Sequence, residues 1–109
     1  MREIKAIIRP DCLPDVLHAL RQIPGMPGVT MSVVHGFGRG GAHDHATEPG
    51  GEAQFAKIET VVQVALVQQV IDAIRRAAHT GRPGDGKVFV LPVERVTRIS
   101  TGEQDEQAI

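Results

Sequence analysis

The sequence predicts an α+β fold, a double βαβ sandwich, on three observations. Short apolar runs alternate with period two, as half-buried strands do. Between them lie segments whose apolar residues recur at helical spacing. One long polar, Gly-rich stretch divides the chain into two such β-α-β units.

The first strand is Glu3 to Arg9, with Ile4, Ala6 and Ile8 on one face and Glu3, Lys5 and Arg9 mostly opposite. Pro10-Asp11 ends it. Asp11 is placed to cap a helix, and Pro14 is tolerated in the first turn, where backbone donors have no partner. Leu13, Val16, Leu17, Leu20 and Ile23 mark the first helix, and Pro24 to Gly28 stops it. Val29 to Phe37 reads as the second strand, with Val29, Met31, Val33, His35 and Phe37 sharing a face. The stretch 38–56 carries no hydrophobic period and is read as a long loop, a length usually reserved for function or disorder.

Lys57 to Gln63 is the third strand. Val67, Val70, Ile71, Ile74 and Ala78 then give the second helix, whose Arg75, Arg76 and His79 suit the negative pole of its dipole. Gly81 to Gly86 breaks it. Lys87 to Leu91 is the fourth strand, and Val96 to Ile99 is expected as a short fifth before a polar tail over 100–109. This order is the split βαβ, ferredoxin-like sandwich. Right-handed crossovers put both helices on one face of an antiparallel sheet. Ile7 and Val34 are expected on the uncovered face, which self-association would bury.

The chain has 109 residues, one domain over 1–109, with a net charge of -1. That balance excludes nucleic-acid binding through a diffuse basic surface. Aromatics are 3%, without Trp or Tyr, which removes base-stacking platforms and tyrosine chemistry. A lone Cys12 makes no internal disulfide and points to a reducing, cytoplasmic home. No apolar run approaches the roughly 20 residues of a membrane span, so the chain is not expected to cross a membrane itself. The N-terminus enters a strand pattern directly, so no signal peptide is expected.

Gly81-Arg82-Pro83-Gly84-Asp85-Gly86-Lys87 fits G-x-x-x-x-G-K, but Val88 stands where a P-loop has Ser or Thr. The context is also reversed, helix into strand, so a P-loop NTPase is rejected. Exposed amides on a Gly-rich turn beside a Lys still suit phosphate, making 81–87 a phosphate-binding turn. Gly36-Phe37-Gly38-Arg39-Gly40-Gly41 fits G-x-G-x-x-G, yet no helix opens after it, and dinucleotide binding is rejected as well. It reads instead as a strand end where backbone approaches a ligand beside Arg39. His43 and His45, flanking Asp44, are candidate ligands for a transition metal. His18 and His79 are read as surface residues of the helices. No Ser/His/Asp or Cys/His arrangement can be assembled, and no enzyme is predicted.

Taken together, these motifs resemble the PII signal-transduction proteins. The resemblance is carried by Glu3 to Pro10, by Gly36-Phe37-Gly38-Arg39, by Ala78 to Val90 and by Val96 to Glu103, and covers nearly the whole chain. It implies a homotrimer of this fold with adenine nucleotides (ATP, ADP or AMP) in clefts between subunits. By position, Gly36, Phe37, Gly38 and Arg39 form one wall. Gly84, Asp85, Gly86 and Lys87 form the phosphate turn, and Arg98 adds a cation. Gly28 and Thr30 approach the adenine from the neighbouring chain, while Ile7, Glu59, Val61 and Phe89 match further positions around the nucleotide. Amides, Lys and Arg are donors suited to phosphate oxygens. The loop 38–56 matches the family's mobile T-loop, which docks into a partner.

Departures from the pattern sharpen the expectation. Family members that sense 2-oxoglutarate carry Gln after that Arg, where it helps hold Mg²⁺; here the position is Gly40. Phe55 stands in place of the Lys that pairs with the keto acid, and the loop is a few residues shorter. No Tyr is available for uridylylation, and Ser100 replaces a second Arg, which points to ADP or AMP over ATP. The resemblance therefore implies a non-catalytic regulator nearer to relatives that accompany transporters. Bicarbonate beside nucleotide phosphate and Arg39 fits an inorganic-carbon system. His43 and His45 fit heavy-metal efflux, and the sequence leaves both open. The partner docked through the loop is expected to be a membrane transporter or a metabolic enzyme.

Overall fold

The alternation at the N-terminus is realised in β1 (Arg2–Ile8), where Ile4, Ala6 and Ile8 are buried and their neighbours are not. The computed structural model describes residues 1–38 and 52–109. After β1 come α1 (Leu13–Arg21), β2 (Thr30–Gly36), β3 (Ala53–Val62), α2 (Val67–Ala78) and β4 (Gly86–Pro92). The strands make one antiparallel sheet in the order β2-β3-β1-β4. This is the ferredoxin-like α+β arrangement that the element order predicts. The core lies between sheet and helices. Ile4, Ile8, Ile58 and Val62 of the sheet meet Val16 and Leu20 of α1 and Val70 and Ile74 of α2. Each such side chain contributes about 1.5–3 kcal/mol by leaving water.

The register fixes the other face. Lys5 lies opposite Glu59 and Phe89, and Ile7 lies opposite Lys57 and Lys87. Thr30, Ser32 and Val34 of β2 continue these rows beside Glu59, Lys57 and Phe55. Ile7 and Val34 therefore sit on the uncovered face as expected, among charged residues.

Several expectations need correction. Val96–Ile99 is no fifth strand. A single bridge joins Thr97 to Gln104, and Arg98 N–H and Gly102 N–H close a tight turn with the Glu103 and Arg98 carbonyls, both at 2.8 Å. The segment pairs with its own tail, which folds back through Asp105–Ala108 in a 3₁₀ turn. The loop ends sooner than 56, because β3 begins at Ala53, whose partner is Gly36. Ala53 and Ala56 are both buried, and ladder pairing with β2 extends the strand beyond its apolar run. Asp11 caps nothing: it lies inside a 3₁₀ turn, Pro10–Cys12, that feeds α1, and neither helical start has a side-chain cap. Arg9 is 2% exposed rather than on the solvent side. His79 lies just past the end of α2.

Candidate functional site

The turn between α2 and β4 is built around Asp85. Its carboxylate accepts from Thr80 N–H at 2.8 Å, from the Thr80 hydroxyl and from Arg9 Nε at 3.0 Å. Arg9 also donates to the Pro83 carbonyl, and Arg82 N–H donates to Thr80 Oγ1 at 3.1 Å. Burial pushes the Asp85 carboxyl up, but the Thr80 and Arg9 hydrogen bonds outweigh it and hold it well below the usual carboxylate range. The side chain of Asp85 is thus used to set the turn, and what the turn offers a ligand is its backbone and Lys87.

Gly86 shows why glycine is required there. Its φ is +101°, and an added Cβ would fall onto the Ile7 carbonyl oxygen, with the carbonyl carbon at 2.8 Å. The turn presses directly onto β1. Gly84 has φ +95°. Lys87 follows, opposite Ile7 in the register. Asp85, Gly86 and Lys87 border an open cleft of about 790 Å³, with Arg75 and Arg76 of α2 and His79 just beyond it on its other side.

A second cavity of about 380 Å³ gathers Gly28, Thr30, Glu59, Val61 and Arg98, with Glu3, Thr60, Ala108 and Ile109. β3 supplies Glu59 and Val61 from its uncovered face. Thr30 faces Glu59 across the ladder. Arg98 is held by Glu103, Nε to Oε1 at 3.6 Å, and donates to the Ala108 carbonyl at 3.4 Å. The neighbouring Glu3 and Glu59 carboxyls shift one another. The hydrogen bond to Glu59 raises the Glu3 carboxyl, while Glu59, accepting that bond and close to Lys57, is lowered. The cavity therefore offers carboxylate acceptors on one wall and a guanidinium on the other. That combination suits a ligand with hydroxyl or amine donors and an anionic group.

The predicted residues thus separate into two clusters within one chain. None of Gly84, Asp85, Gly86 and Lys87 borders the 380 Å³ cavity. Ile7 lies with the Gly84–Lys87 turn, and Phe89, 43% exposed, faces Lys5 on the uncovered sheet. Gly36 ends β2, and Phe37, 82% exposed, and Gly38 follow it at the root of the loop. Arg39, His43 and His45 lie outside the described residues, as does Gly40. Among the described residues no group of three or more His, Cys, Asp or Glu side chains is placed to hold a metal ion. No helix among them is long and apolar enough to cross a membrane.

Sequence reasoning missed Arg9, Thr80, Glu3 and Thr60. Arg9 and Thr80 carry no local signal, since Arg9 meets Asp85 across 76 positions. Thr60 does carry one: it is a polar residue in the apolar row Ile58, Thr60, Val62.

Comparison with known proteins decides the family. The family model described as "Nitrogen regulatory protein P-II" matches residues 1–103. The chain is 46% identical to nitrogen regulatory protein P-II of Azospirillum brasilense and 45% identical to P-II 1 of Escherichia coli K12, in each case over the full length of both. The chain belongs to the PII family. A crystal structure of PII from Arabidopsis thaliana bound to citrate superposes with a TM-score of 0.83 at 40% identity, covering 99% of this chain and 91% of that one. PII proteins are signal-transduction regulators and are typically trimeric. The names of these PII relatives refer to nitrogen regulation rather than to inorganic carbon or metals. Phe55 lies in β3 opposite Val34.

Proposed function

We propose that this PII protein binds an adenine nucleotide between subunits of a homotrimer and signals through the segment joining β2 to β3. The separation of the two clusters carries the reading. The cavity of Gly28, Thr30, Glu59, Val61 and Arg98 has the acceptors and cation for one end of a nucleotide. The Gly84–Lys87 turn has the amides and ammonium for its phosphates. A neighbouring subunit that brings its turn against this cavity completes one site per interface. Phe37 and Ile99, both almost fully exposed, are apolar side chains that such a neighbour covers. Binding at Gly36–Gly38 fixes the end of β2 and so biases the segment that follows it toward or away from a partner.

The effectors are ATP, ADP and AMP, with the lower phosphates favoured because Ser100 supplies no cation. The partner is a membrane transporter or an inorganic-carbon system, with bicarbonate as the co-effector near the nucleotide phosphate. Isothermal titration calorimetry with ATP, ADP and AMP tests the site. Lys87→Ala is expected to weaken ATP more than AMP, because it removes a phosphate contact. No binding by the wild-type chain, or an unchanged phosphate dependence in Lys87→Ala, defeats the reading. Sedimentation should give the mass of a trimer. Bicarbonate added at saturating nucleotide should tighten binding. If Zn²⁺ does so instead, and a His43→Ala/His45→Ala variant loses the effect, the metal-linked reading replaces the bicarbonate one.

A further inference from the structure

On β3, Ala56, Ile58, Thr60 and Val62 alternate toward the helices, and all are buried. Thr60 is the polar member of that row, 4% exposed. A buried hydroxyl is tolerated when it has a partner. Here Oγ1 donates to the carbonyl oxygen of Gly28 at 2.8 Å. That bond lies just past the end of the β2–β3 ladder, whose last pair on this side is Thr30 with Glu59. Pro27, next along, has no N–H to donate. The chain entering β2 is therefore tied to β3 by a side chain where backbone pairing has stopped. Both ends of the tie, Gly28 and Thr60, border the 380 Å³ cavity, and Pro27 borders it as well.

We infer that Thr60 is a positioning residue for the nucleotide cavity: acting through Gly28, its hydroxyl sets how far the Pro27–Gly28 wall stands from Glu59 and Val61. The inference rests on the nucleotide reading above. A wall that carries a ligand contact must be held before the ligand arrives, since ordering it on binding subtracts from affinity. A valine at this position would fill the same volume with the same branched shape. What the hydroxyl adds is the link to Gly28.

Calorimetry of the full chain with ATP, ADP and AMP tests this on wild type, Thr60→Val, Thr60→Ser and Arg98→Ala. Loss of a hydrogen bond of ordinary net strength corresponds to a roughly two- to tenfold change. Thr60→Val is expected to weaken all three nucleotides by about that factor alike, because the Pro27–Gly28 wall it holds lies apart from the Gly84–Lys87 turn. Thr60→Ser, which keeps the hydroxyl, is expected to restore binding to near wild type. Without nucleotide, amide exchange at Gly28 and Val29 should quicken in Thr60→Val and not in Thr60→Ser. Wild-type affinity in Thr60→Val overturns the inference, as does a Thr60→Ser variant as weak as Thr60→Val, which would make packing the cause. If wild type binds and Arg98→Ala weakens it while Thr60→Val does not, the inference falls and the nucleotide reading stands. If wild type binds nothing, both fall together.

Discussion

Replacing Gly86 by alanine tests how the Gly84–Lys87 turn is built. Two costs arise at this residue. Its φ of +101° lies beyond the left-handed region that L-residues enter, and such a backbone costs an alanine about 1–3 kcal/mol. The new Cβ also lands on the Ile7 carbonyl oxygen, with the Ile7 carbonyl carbon at 2.8 Å and Ile8 Cα at 3.2 Å. These are backbone atoms of the central strand β1, so no side chain can swing away, and overpacking of this kind costs about 1–3 kcal/mol. A loss of about 2–6 kcal/mol is expected in total. Gly25 supplies the control. Its φ is +76° and a Cβ there meets nothing within 4 Å, so Gly25→Ala should cost only about 1 kcal/mol. Urea unfolding followed by far-ultraviolet circular dichroism measures both, since the chain has no Trp or Tyr to report by fluorescence. Protomer concentration must be matched, because assembly contributes to apparent stability. Equal losses at Gly86 and Gly25 would refute the claim that the turn presses on β1.

Asp85→Asn should cost about 3 kcal/mol, the lower end for breaking a buried ion pair, because the carboxylate is 23% exposed while Arg9 is 2% exposed. The Asp85 carboxyl is depressed in the folded state, so its stabilisation is complete above the ordinary Asp value near 4. It should fade as pH falls below that value, and an acid titration of Asp85→Asn should lack this component. Glu3→Gln keeps a donor toward Glu59 but removes like-charge repulsion, so it should gain stability as pH rises above the usual carboxylate range, seen as a higher melting temperature at pH 7 than at pH 4 relative to wild type. Leu20→Ala, at a side chain 1% exposed between the helices and the sheet, should lose about 2–5 kcal/mol in the same urea assay. Adding 2-oxoglutarate should leave nucleotide affinity unchanged in calorimetry, since the resemblance to PII keto-acid sensors matches Gly40 and Phe55 to their Gln and Lys.

Most of the architecture is legible in the chain because it follows from periodicity. Ile4, Ala6 and Ile8 fall on one face at spacing two, and Val70, Ile74 and Ala78 on another at spacing four. A covalent chain displays both patterns directly. Boundaries set by pairing are less legible. Ala53 joins β3 because Gly36 lies across from it, and Val96–Ile99 leaves the sheet because Glu103 and Asp105 of its own tail take its hydrogen bonds.

The sequence by itself determined the family, the α+β order and the residue types that suit a nucleotide. Gly-rich turns, a Lys beside one of them and the missing loop Tyr are local features that need no neighbour to be read. Only the tertiary structure decided how those residues divide. Gly28, Thr30, Glu59, Val61 and Arg98 share a cavity that Gly84–Lys87 does not enter. It also decided that Asp85 serves Arg9 and Thr80, and that Thr60 serves Gly28. The reason is physical. A side chain's role depends on which donors and acceptors lie within about 3 Å of it. Across separations such as the 76 positions from Arg9 to Asp85, that proximity is set by the packing of the whole sheet rather than by the residues themselves.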